Sequence, residues 1–205
     1  MSITVDLLRW RTNLVDATLP NMRQALRLHP DSRCMAAIRI DVEVARPRPS
    51  NLLLHYFVTG KISDLRMPRG TASARTDELW QHTCFEAFVR ASPSATYYEF
   101  NFAPSMQWAA YRFGAYRDKM CEASVISAPR IDVRSSGELY ELQASLTLAG
   151  ILGLPSDAIW RLGLSAVIEE TSGLKSYWAL AHPPGKADFH HSDCFTVELS
   201  QTYEP

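Results

Sequence analysis

Alternation with a period of two residues is the feature of this sequence that most restricts its fold. Short stretches between residues 36 and 199 alternate apolar and polar side chains and are separated by turn-forming residues, whereas apolar residues at helical spacing are scarce. The pattern predicts strands at 36–44, 52–59, 83–90, 97–102, 108–116, 126–134, 138–147, 161–170, 176–180 and 194–199. So many short strands favour an all-β fold in which two antiparallel sheets pack as a β-sandwich.

One pair of predicted strands, 83–90 and 97–102, fixes its own register. If the chain turns at residues 92–95, Glu86 lies opposite Asn101 and Phe88 lies opposite Glu99. Since alternate side chains point to opposite faces of a strand, one face of this hairpin is apolar or aromatic throughout and belongs to the core. That face consists of Phe85, Ala87, Val89, Tyr98, Phe100 and Phe102.

The opposite face of this hairpin has an unusual composition for a solvated surface. It consists of Glu86, Phe88, Arg90, Tyr97, Glu99 and Asn101. Two carboxyl groups, an amide, a guanidinium and two rings are more than such a surface needs, and they are typical of a site for a polar ligand. An ion pair between Arg90 and Glu99 across the strands is the simpler interpretation that the sequence leaves open.

Length and composition favour a single domain. At 205 residues the chain is long enough to bury a core that needs neither a metal nor a disulfide. No repeat, low-complexity tract or linker divides the sequence, so we expect one domain over residues 1–205. Prolines at positions 20 and 30 interrupt regular structure within residues 1–33, where we predict an N-terminal edge strand followed by a covering loop.

Charge and hydropathy restrict the partners of the protein. A formal net charge of −1 argues against a nucleic-acid surface, which is usually strongly basic. No run of 18 apolar residues occurs, so no membrane span is predicted. The N-terminus lacks a basic leader followed by a small-residue cleavage site, and we therefore expect a cytoplasmic location. The sequence leaves the oligomeric state open.

The cysteines form no recognisable metal or redox motif. Cys34, Cys84, Cys121 and Cys194 are scattered and none belongs to a CxxC pair, so we expect free thiols in a reducing compartment. His82 and Cys84 point the same way on a predicted strand, but no third group is placed to orient them for nucleophilic catalysis.

The densest set of metal-binding residue types lies near the C-terminus. It comprises His182, Asp188, His190, His191 and Asp193. Their spacing matches no recognised zinc pattern, so we predict no metal site. We interpret the segment instead as a loop whose histidines hydrogen-bond to the backbone, or as a lid over the predicted pocket.

Several longer motifs together resemble a known family. They read LWQHTCFEAF at 79–88, YEFNFAPS at 98–105, QWAAY at 107–111, GLSAVIEE at 163–170, SYWAL at 176–180, and HPPG with DFHH at 182–191. These motifs resemble the DOMON-like proteins related to family 9 carbohydrate-binding modules, over residues 35–199. The resemblance implies a sandwich of two antiparallel sheets with a ligand site on the concave face of one sheet. It also implies a binding protein and not an enzyme.

The resemblance implies roles for individual residues. In the sugar-binding relatives, a Trp, a Glu six residues later and an Asn on the neighbouring strand form a sugar pocket together with a second Trp. The similar positions here are Trp80, Glu86, Asn101 and Trp178. The two indole rings would stack on a sugar, while the carboxyl and amide groups would hydrogen-bond its hydroxyls.

Four more residues complete the predicted site. Arg90, Tyr97 and Glu99 join it because they share the polar face of the hairpin, and Gln143 joins it from the polar face of the strand predicted at 138–147. We therefore expect non-catalytic binding of a small polar ligand, and a carbohydrate fits these residue types best.

Two alternatives remain open from the sequence. Glu86 and Glu99, predicted to lie about 7 Å apart on adjacent strands, are the residue types that a glycosidase uses as acid and base. Other DOMON relatives bind haem through Met and His; Met106 and several histidines are available here, but no CxxCH motif is present. The carbohydrate interpretation requires no cofactor.

Overall fold

Antiparallel strands dominate the computed structural model, which describes residues 22–70, 72–123 and 127–200. The strands are β1 (Met22–Leu28), β2 (Ile38–Ala45), β3 (Asn51–Gly60), β4 (Cys84–Ala91), β5 (Tyr97–Phe102), β6 (Trp108–Phe113), β7 (Cys121–Glu122), β8 (Arg130–Ser135), β9 (Leu139–Thr147), β10 (Trp160–Glu169), β11 (Lys175–Ala179) and β12 (Val197–Leu199). The helical segments of the described residues are short 3₁₀ turns, and none is long and apolar enough to cross a membrane. The all-β prediction is confirmed.

Hydrogen bonds join the strands into one continuous curled sheet. Its order is β7-β6-β5-β4-β10-β11-β1-β2-β3-β9-β8, and β12 pairs with β10 outside this path. The predicted sandwich of two sheets is compatible with this arrangement, in which β1 links two halves by pairing with β2 on one side and with β11 on the other.

The N-terminal prediction, an edge strand and a covering loop within residues 1–33, gave no bounds for the strand. In the described residues, Met22–Leu28 is a strand with partners on both edges, because Leu26 pairs with Ile40 of β2 and Leu28 pairs with Trp178 of β11. Both pairings join segments that a single sequence does not mark as neighbours. Residues 1–21 of the predicted edge strand and loop lie outside the described residues.

The two halves of the sheet face each other across one hydrophobic core. Leu54 and Tyr56 of β3 contribute from one half, while Phe85 and Phe100 contribute from the other. The rings of Tyr56 and Phe85 lie 5.1 Å apart, and the Tyr56 hydroxyl donates to the backbone carbonyl of Glu86 over 2.7 Å. This bond ties the core of one half to the strand that carries the predicted site.

The hairpin of β4 and β5 has the predicted register. Glu86 pairs with Asn101, and Phe88 pairs with Glu99. All six side chains of the predicted apolar face belong to the core. Nearly every residue of β4 and β5 is buried, because the second face is covered as well, by a smaller cluster that includes Phe113 and Phe195.

A loop formed by residues 181–196 covers that second face. Its close approach depends on Gly163 of β10, which pairs with Phe88. A Cβ atom at Gly163 would lie only 3.0 Å from the backbone carbonyl oxygen of Cys194. The missing side chain therefore lets the loop lie directly on the sheet.

Candidate functional site

A cleft of about 380 Å³ opens on the covered face of β4, β5 and β10. We call it the aromatic cleft. It is lined by Trp80, Glu86, Phe88, Glu99, Phe113, Arg117, Met120, Val167, Tyr177, Ala187, Phe189 and His190. Five of these residues are Phe, Tyr or Trp. The cleft therefore combines extensive aromatic surface with a few polar groups, as small-molecule sites usually do.

Two partly exposed rings border the cleft. Trp80 belongs to the 3₁₀ turn Leu79–Gln81 that precedes β4 and is 37% exposed, while Tyr177 of β11 is 36% exposed. The Trp80 ring packs edge-on against Tyr111, with 5.8 Å between the centroids. Tyr177 lies near Phe189 of the covering loop, at 6.3 Å. Both rings are held by neighbours and still offer surface to a ligand.

Two carboxyl groups lie at the base of the cleft. Glu86 is 2% exposed and Glu99 is 6% exposed. The Ser165 hydroxyl of β10 donates to Oε2 of Glu86 over 3.0 Å, and Nδ2 of Asn101 donates to Oε1 of Glu99 over 2.8 Å. Neighbouring strands thus fix the position of each carboxyl group.

Burial changes the acidity of both groups. Desolvation raises the pKa of Glu86, and the nearby Glu99 carboxylate raises it further. Desolvation also raises the pKa of Glu99, although the hydrogen bond from Asn101 and the charge of Arg117 oppose this. A buried pair of like charges resists double ionisation, so the two groups retain a shared proton near neutral pH. The pair then offers both a hydrogen-bond donor and acceptors.

Asn101 supports the carboxyl pair from behind the cleft. It is fully buried and does not line the cleft. Its Oδ1 atom has no hydrogen-bond partner among the described residues, although Glu86 lies directly across the β4–β5 ladder. Burial raises the pKa of the Glu86 carboxyl group, so its protonated form is a donor on the strand opposite the orphaned amide oxygen.

His190 of the covering loop is inserted into the ring cluster. Its imidazole packs edge-on against Phe88 and Phe113, with centroid distances of 5.0 Å in each case. Nδ1 lies 2.8 Å from the Tyr97 hydroxyl, and Nε2 lies 3.7 Å from Oε2 of Glu99. Burial lowers the pKa of His190 to about 4, so the ring is neutral near pH 7.

A hydrogen-bond chain sets the tautomer of His190. The backbone N–H of Arg117 donates to the Tyr97 oxygen over 3.1 Å, which leaves the Tyr97 proton free to donate to Nδ1 of His190. The neutral imidazole then carries its own proton on Nε2, on the side of Glu99. The loop therefore presents a donor toward the buried carboxyl pair.

Asp188 anchors the loop to the strand side of the cleft. Its Oδ1 accepts from Nη2 of Arg117 over 2.8 Å and from the backbone N–H of His190 over 3.1 Å. The Tyr116 hydroxyl donates to Oδ2 of the same carboxylate. Asp188, Tyr116 and Arg117 together hold the loop where His190 meets the ring cluster.

A second cavity, of about 520 Å³, adjoins the aromatic cleft. It is lined by Arg90, Ala95, Tyr97, Tyr116, His190, His191, Ser192 and Phe195. His190 lines both spaces, so its imidazole ring lies where they meet. The structure therefore divides the predicted polar face, with Glu86 and Glu99 in the cleft and with Arg90 and Tyr97 in the second cavity.

Besides Asn101, two predicted site residues line neither cavity. Trp178 is buried in the core, and its Nε1 donates to the Ser176 hydroxyl over 2.9 Å. The register explains this position, because Trp178 pairs with core residue Ala166, whereas Tyr177 pairs with Val167 of the cleft wall. Trp178 was predicted to line the site because it is a tryptophan. The prediction did not take into account which face of β11 its side chain points to.

Gln143 also lies elsewhere. It belongs to β9 in the other half of the sheet, where it pairs with His55 and Asp132. The alternate residues of β9, including Leu142 and Ala144, point into the core, so Gln143 occupies the outer face of that half. The alternation in the sequence correctly placed Gln143 on the polar face of its strand. It did not show which strands lie beside that strand in the sheet.

Cleft residues from two loops and one strand were missed by the sequence reasoning. Arg117 and Met120 follow β6, Ala187 and Phe189 precede the final strand, and Tyr177 lies on β11. Gly173 has a φ of +87° and marks the turn between β10 and β11. Pairing residues outward from this turn places Tyr177 opposite Val167, so the sequence did contain a signal for Tyr177. The sequence contains no comparable signal for the loop residues.

Candidate metal and redox residues remain separate in the structure. The described residues contain no group of three or more His, Cys, Asp or Glu side chains placed to hold a metal ion. His82 contacts Glu169, with 2.7 Å between Nδ1 and Oε2, and Cys84 is a buried free thiol. Met106, considered from sequence as a haem ligand, packs against the core.

Comparison with known proteins supports the fold. The sequence matches no family model and no curated protein. A proposed carbohydrate-binding protein from Bacteroides uniformis has a similar structure, with a TM-score of 0.64 and 18% identity over 93% of this chain and 87% of that one. A family 9 carbohydrate-binding module from Caldicellulosiruptor kristjanssonii, solved with glucose, has a TM-score of 0.50 and 11% identity over 80% of this chain and 76% of that one. The implied likeness to the family 9 fold is confirmed, while the DOMON relationship stays a prediction.

Proposed function

We propose that the aromatic cleft binds a small carbohydrate and does not transform it. One observation carries this proposal. Two buried carboxyl groups, Glu86 and Glu99, lie at the base of a cleft whose rim is formed by the exposed rings of Trp80 and Tyr177. A sugar has apolar C–H faces that pack on rings and hydroxyls that both donate and accept hydrogen bonds, so its chemistry matches both parts of the cleft.

The protonation of the carboxyl pair strengthens the match. Burial raises the pKa of Glu86 and of Glu99, so the pair holds a proton and presents both a donor and acceptors to neighbouring hydroxyls. Ser165 and Asn101 hold these oxygen atoms in place before any ligand arrives. Such preorganisation reduces the conformational entropy that the side chains of the site must lose when a ligand binds.

The fold supports the same function by analogy. One solved protein with a similar fold was crystallised with glucose, and another is a proposed carbohydrate-binding protein. Folds host many functions, so the argument rests on the cleft and not on this likeness.

Titration calorimetry against neutral hexoses and disaccharides tests the proposal. We expect saturable binding that falls at least about tenfold in Trp80→Ala and in Glu86→Gln, because each loses a ring surface or a carboxyl contact worth about 1.4 kcal/mol or more. Met35→Ala is the matched control, since Met35 is 79% exposed and does not line the cleft. Absence of binding to every sugar, or binding that both variants retain, contradicts the proposal.

Hydrolysis is a second candidate, favoured by one observation. Glu86 and Glu99 share one cleft and both have raised pKa values, as the general acid of a glycosidase must. Aryl glycosides provide the test. Turnover that disappears in Glu86→Gln and in Glu99→Gln, while sugar binding persists, would establish hydrolysis; binding without turnover would favour the non-catalytic function.

A further inference from the structure

The second cavity differs sharply in charge from the aromatic cleft that it adjoins. Among the described residues, no carboxylate lines it, whereas two carboxyl groups lie at the base of the cleft. Its polar lining consists of the guanidinium of Arg90, two imidazoles, two phenols and the Ser192 hydroxyl. His190 lines both spaces, so a ligand that occupied both of them would lie beside its imidazole ring.

Arg90 has no anionic partner among the described residues. Its guanidinium lies over the ring of Phe195, 4.6 Å from the centroid, which fixes its orientation within the cavity. The ion pair between Arg90 and Glu99 that the sequence left open is not formed; Glu99 contacts Asn101 and lies near His190. A partly buried guanidinium without a counter-ion is a site for an anion.

A second arginine strengthens the case for an anion. Arg161 of β10 lies directly opposite Arg90 of β4, and like charges placed opposite each other are destabilising. Glu198 neutralises Arg161 but does not pair with Arg90. Desolvation and the charge of Arg161 lower the pKa of Arg90, and a bound oxyanion would oppose both effects.

Hydroxyl and imidazole groups beside Arg90 complete an oxyanion environment. The Ser192 hydroxyl lies on the same cavity wall, where its intramolecular bond to Asp193 is long, at 3.4 Å. Nδ1 of His191 accepts from the backbone N–H of Asp193 over 3.3 Å, so a neutral His191 ring carries its proton on Nε2 and remains a donor. Both groups line the same cavity as Arg90 and can supply donors to an oxyanion bound there.

We propose that the second cavity is an oxyanion subsite, and that the ligand of the whole site is a sugar with an acidic substituent. Glu86 and Glu99 bind the hydroxyls of its ring, and Arg90 with its neighbouring donors binds a carboxylate or phosphate group. The part of this proposal that concerns the sugar rests on the function proposed for the aromatic cleft. The oxyanion subsite itself rests on Arg90 and its surroundings.

Calorimetry with matched ligands tests the inference. Glucose is the neutral reference, glucuronate carries a carboxylate, and glucose 6-phosphate carries a phosphate, so the two acidic sugars distinguish the source of the oxyanion. We expect at least one of them to bind about tenfold or more tightly than glucose, the gain typical of one charge-assisted hydrogen bond. Inorganic phosphate alone is titrated in parallel as a ligand for the subsite without a sugar.

Two variants locate the gain at the second cavity. Arg90→Gln removes the charge, and Ala95→Asp adds a carboxylate to the exposed rim of the cavity without altering the packing of Arg90 on Phe195. In both variants the advantage of the acidic sugar over glucose is expected to disappear, while glucose affinity changes less than about twofold. If Arg90→Gln fails to fold, Ala95→Asp and the salt dependence of acidic-sugar binding answer the same question.

The outcomes separate the two proposals. Binding of glucose with no advantage for either acidic sugar, or an advantage that both variants retain, overturns the subsite and leaves the carbohydrate function standing. Binding of inorganic phosphate that depends on Arg90, without binding of any sugar, supports the subsite and overturns the carbohydrate function. If none of these ligands binds, both proposals are wrong.

Discussion

The Tyr97 hydroxyl and Nδ1 of His190 lie 2.8 Å apart, and this contact joins a β-strand of the site to the loop that covers it. The imidazole is simultaneously surrounded by the rings of Phe88 and Phe113. A buried neutral histidine is thus the central contact between the loop and the sheet. The stability of the loop should therefore depend on the protonation of His190.

Acid is expected to destabilise the protein through His190. Burial lowers the pKa of His190 from 6.5 to about 4, so the unfolded state binds a proton in this range that the folded state resists. Stability is then lost as pH falls from about 6.5 to about 4, by up to about 1.4 kcal/mol per pH unit. Melting temperatures across this range should fall less steeply for His190→Gln than for the native protein.

The residues around His190 make this test specific. Asp188 also has a shifted pKa, but the direct bonds from Arg117 and Tyr116 help to lower that pKa from 3.8, so Asp188 acts at more acidic pH. His182 has a lowered pKa and titrates in the same direction, so His190→Gln should remove only part of the acid loss. Equal slopes for the two proteins would contradict a buried neutral His190.

The carboxyl pair is expected to have the opposite pH dependence. Burial raises the pKa of Glu86 from 4.5 to about 8, so the folded state retains a proton that the unfolded state releases over this range. Native stability should therefore decrease as pH rises between those values. Glu86→Gln removes the titrating group, and its melting temperature relative to the native protein should increase from pH 5 to pH 8.

A matched acidic variant provides the control for the carboxyl prediction. Glu198 is exposed and forms an ion pair with Arg161 at the surface. The melting temperature of Glu198→Gln relative to the native protein should not increase with pH. If Glu86→Gln behaves in the same way, the buried pair is ionised at neutral pH and the donor role proposed for it is wrong.

A third prediction concerns Gly163 and the covering loop. A Cβ atom at this position would lie 3.0 Å from the Cys194 carbonyl oxygen, and overpacking of this kind costs about 1–3 kcal/mol. We expect Gly163→Ala to displace the loop and to increase hydrogen exchange over residues 181–196 while β4 and β5 stay protected. Gly137, which has nothing within 4 Å of the equivalent Cβ position, supplies the control; unchanged exchange in Gly163→Ala would show that the loop does not depend on this contact.

Local patterns in the sequence were sufficient to predict the hairpin at the centre of the site. The register of β4 and β5 follows from alternation and one short turn, so Glu86 and Glu99 were correctly placed on one face. For the segment that covers this face, the sequence left a lid over the pocket as one of two interpretations and could not decide between them. Residues 181–196 pack through long-range contacts such as those of His190, and no periodic pattern specifies them.

The internal position of β1 and the location of Gln143 also depend on long-range contacts, so the sequence did not predict them. Alternation specifies which way a side chain points but not which strand becomes the neighbour. β1 completes the sheet by pairing at both edges, and β9 pairs far from the cleft. Pairing between strands that are distant in sequence is a property of the whole chain, and a single sequence carries little information about it.

The adjacent aromatic residues Tyr177 and Trp178 allow the site and the core to be separated in one experiment. Tyr177 is 36% exposed at the cleft, whereas Trp178 is 8% exposed and belongs to the core. Trp178→Ala should lower the free energy of unfolding by about 3–5 kcal/mol, as large-to-small substitutions of buried aromatics do. Tyr177→Ala should reduce stability much less but weaken sugar binding about tenfold. Denaturant unfolding and calorimetry on both variants measure the two effects. Loss of binding in a stable Trp178→Ala protein, with full binding in Tyr177→Ala, would reverse the assignment and place the ligand against the other face of β11.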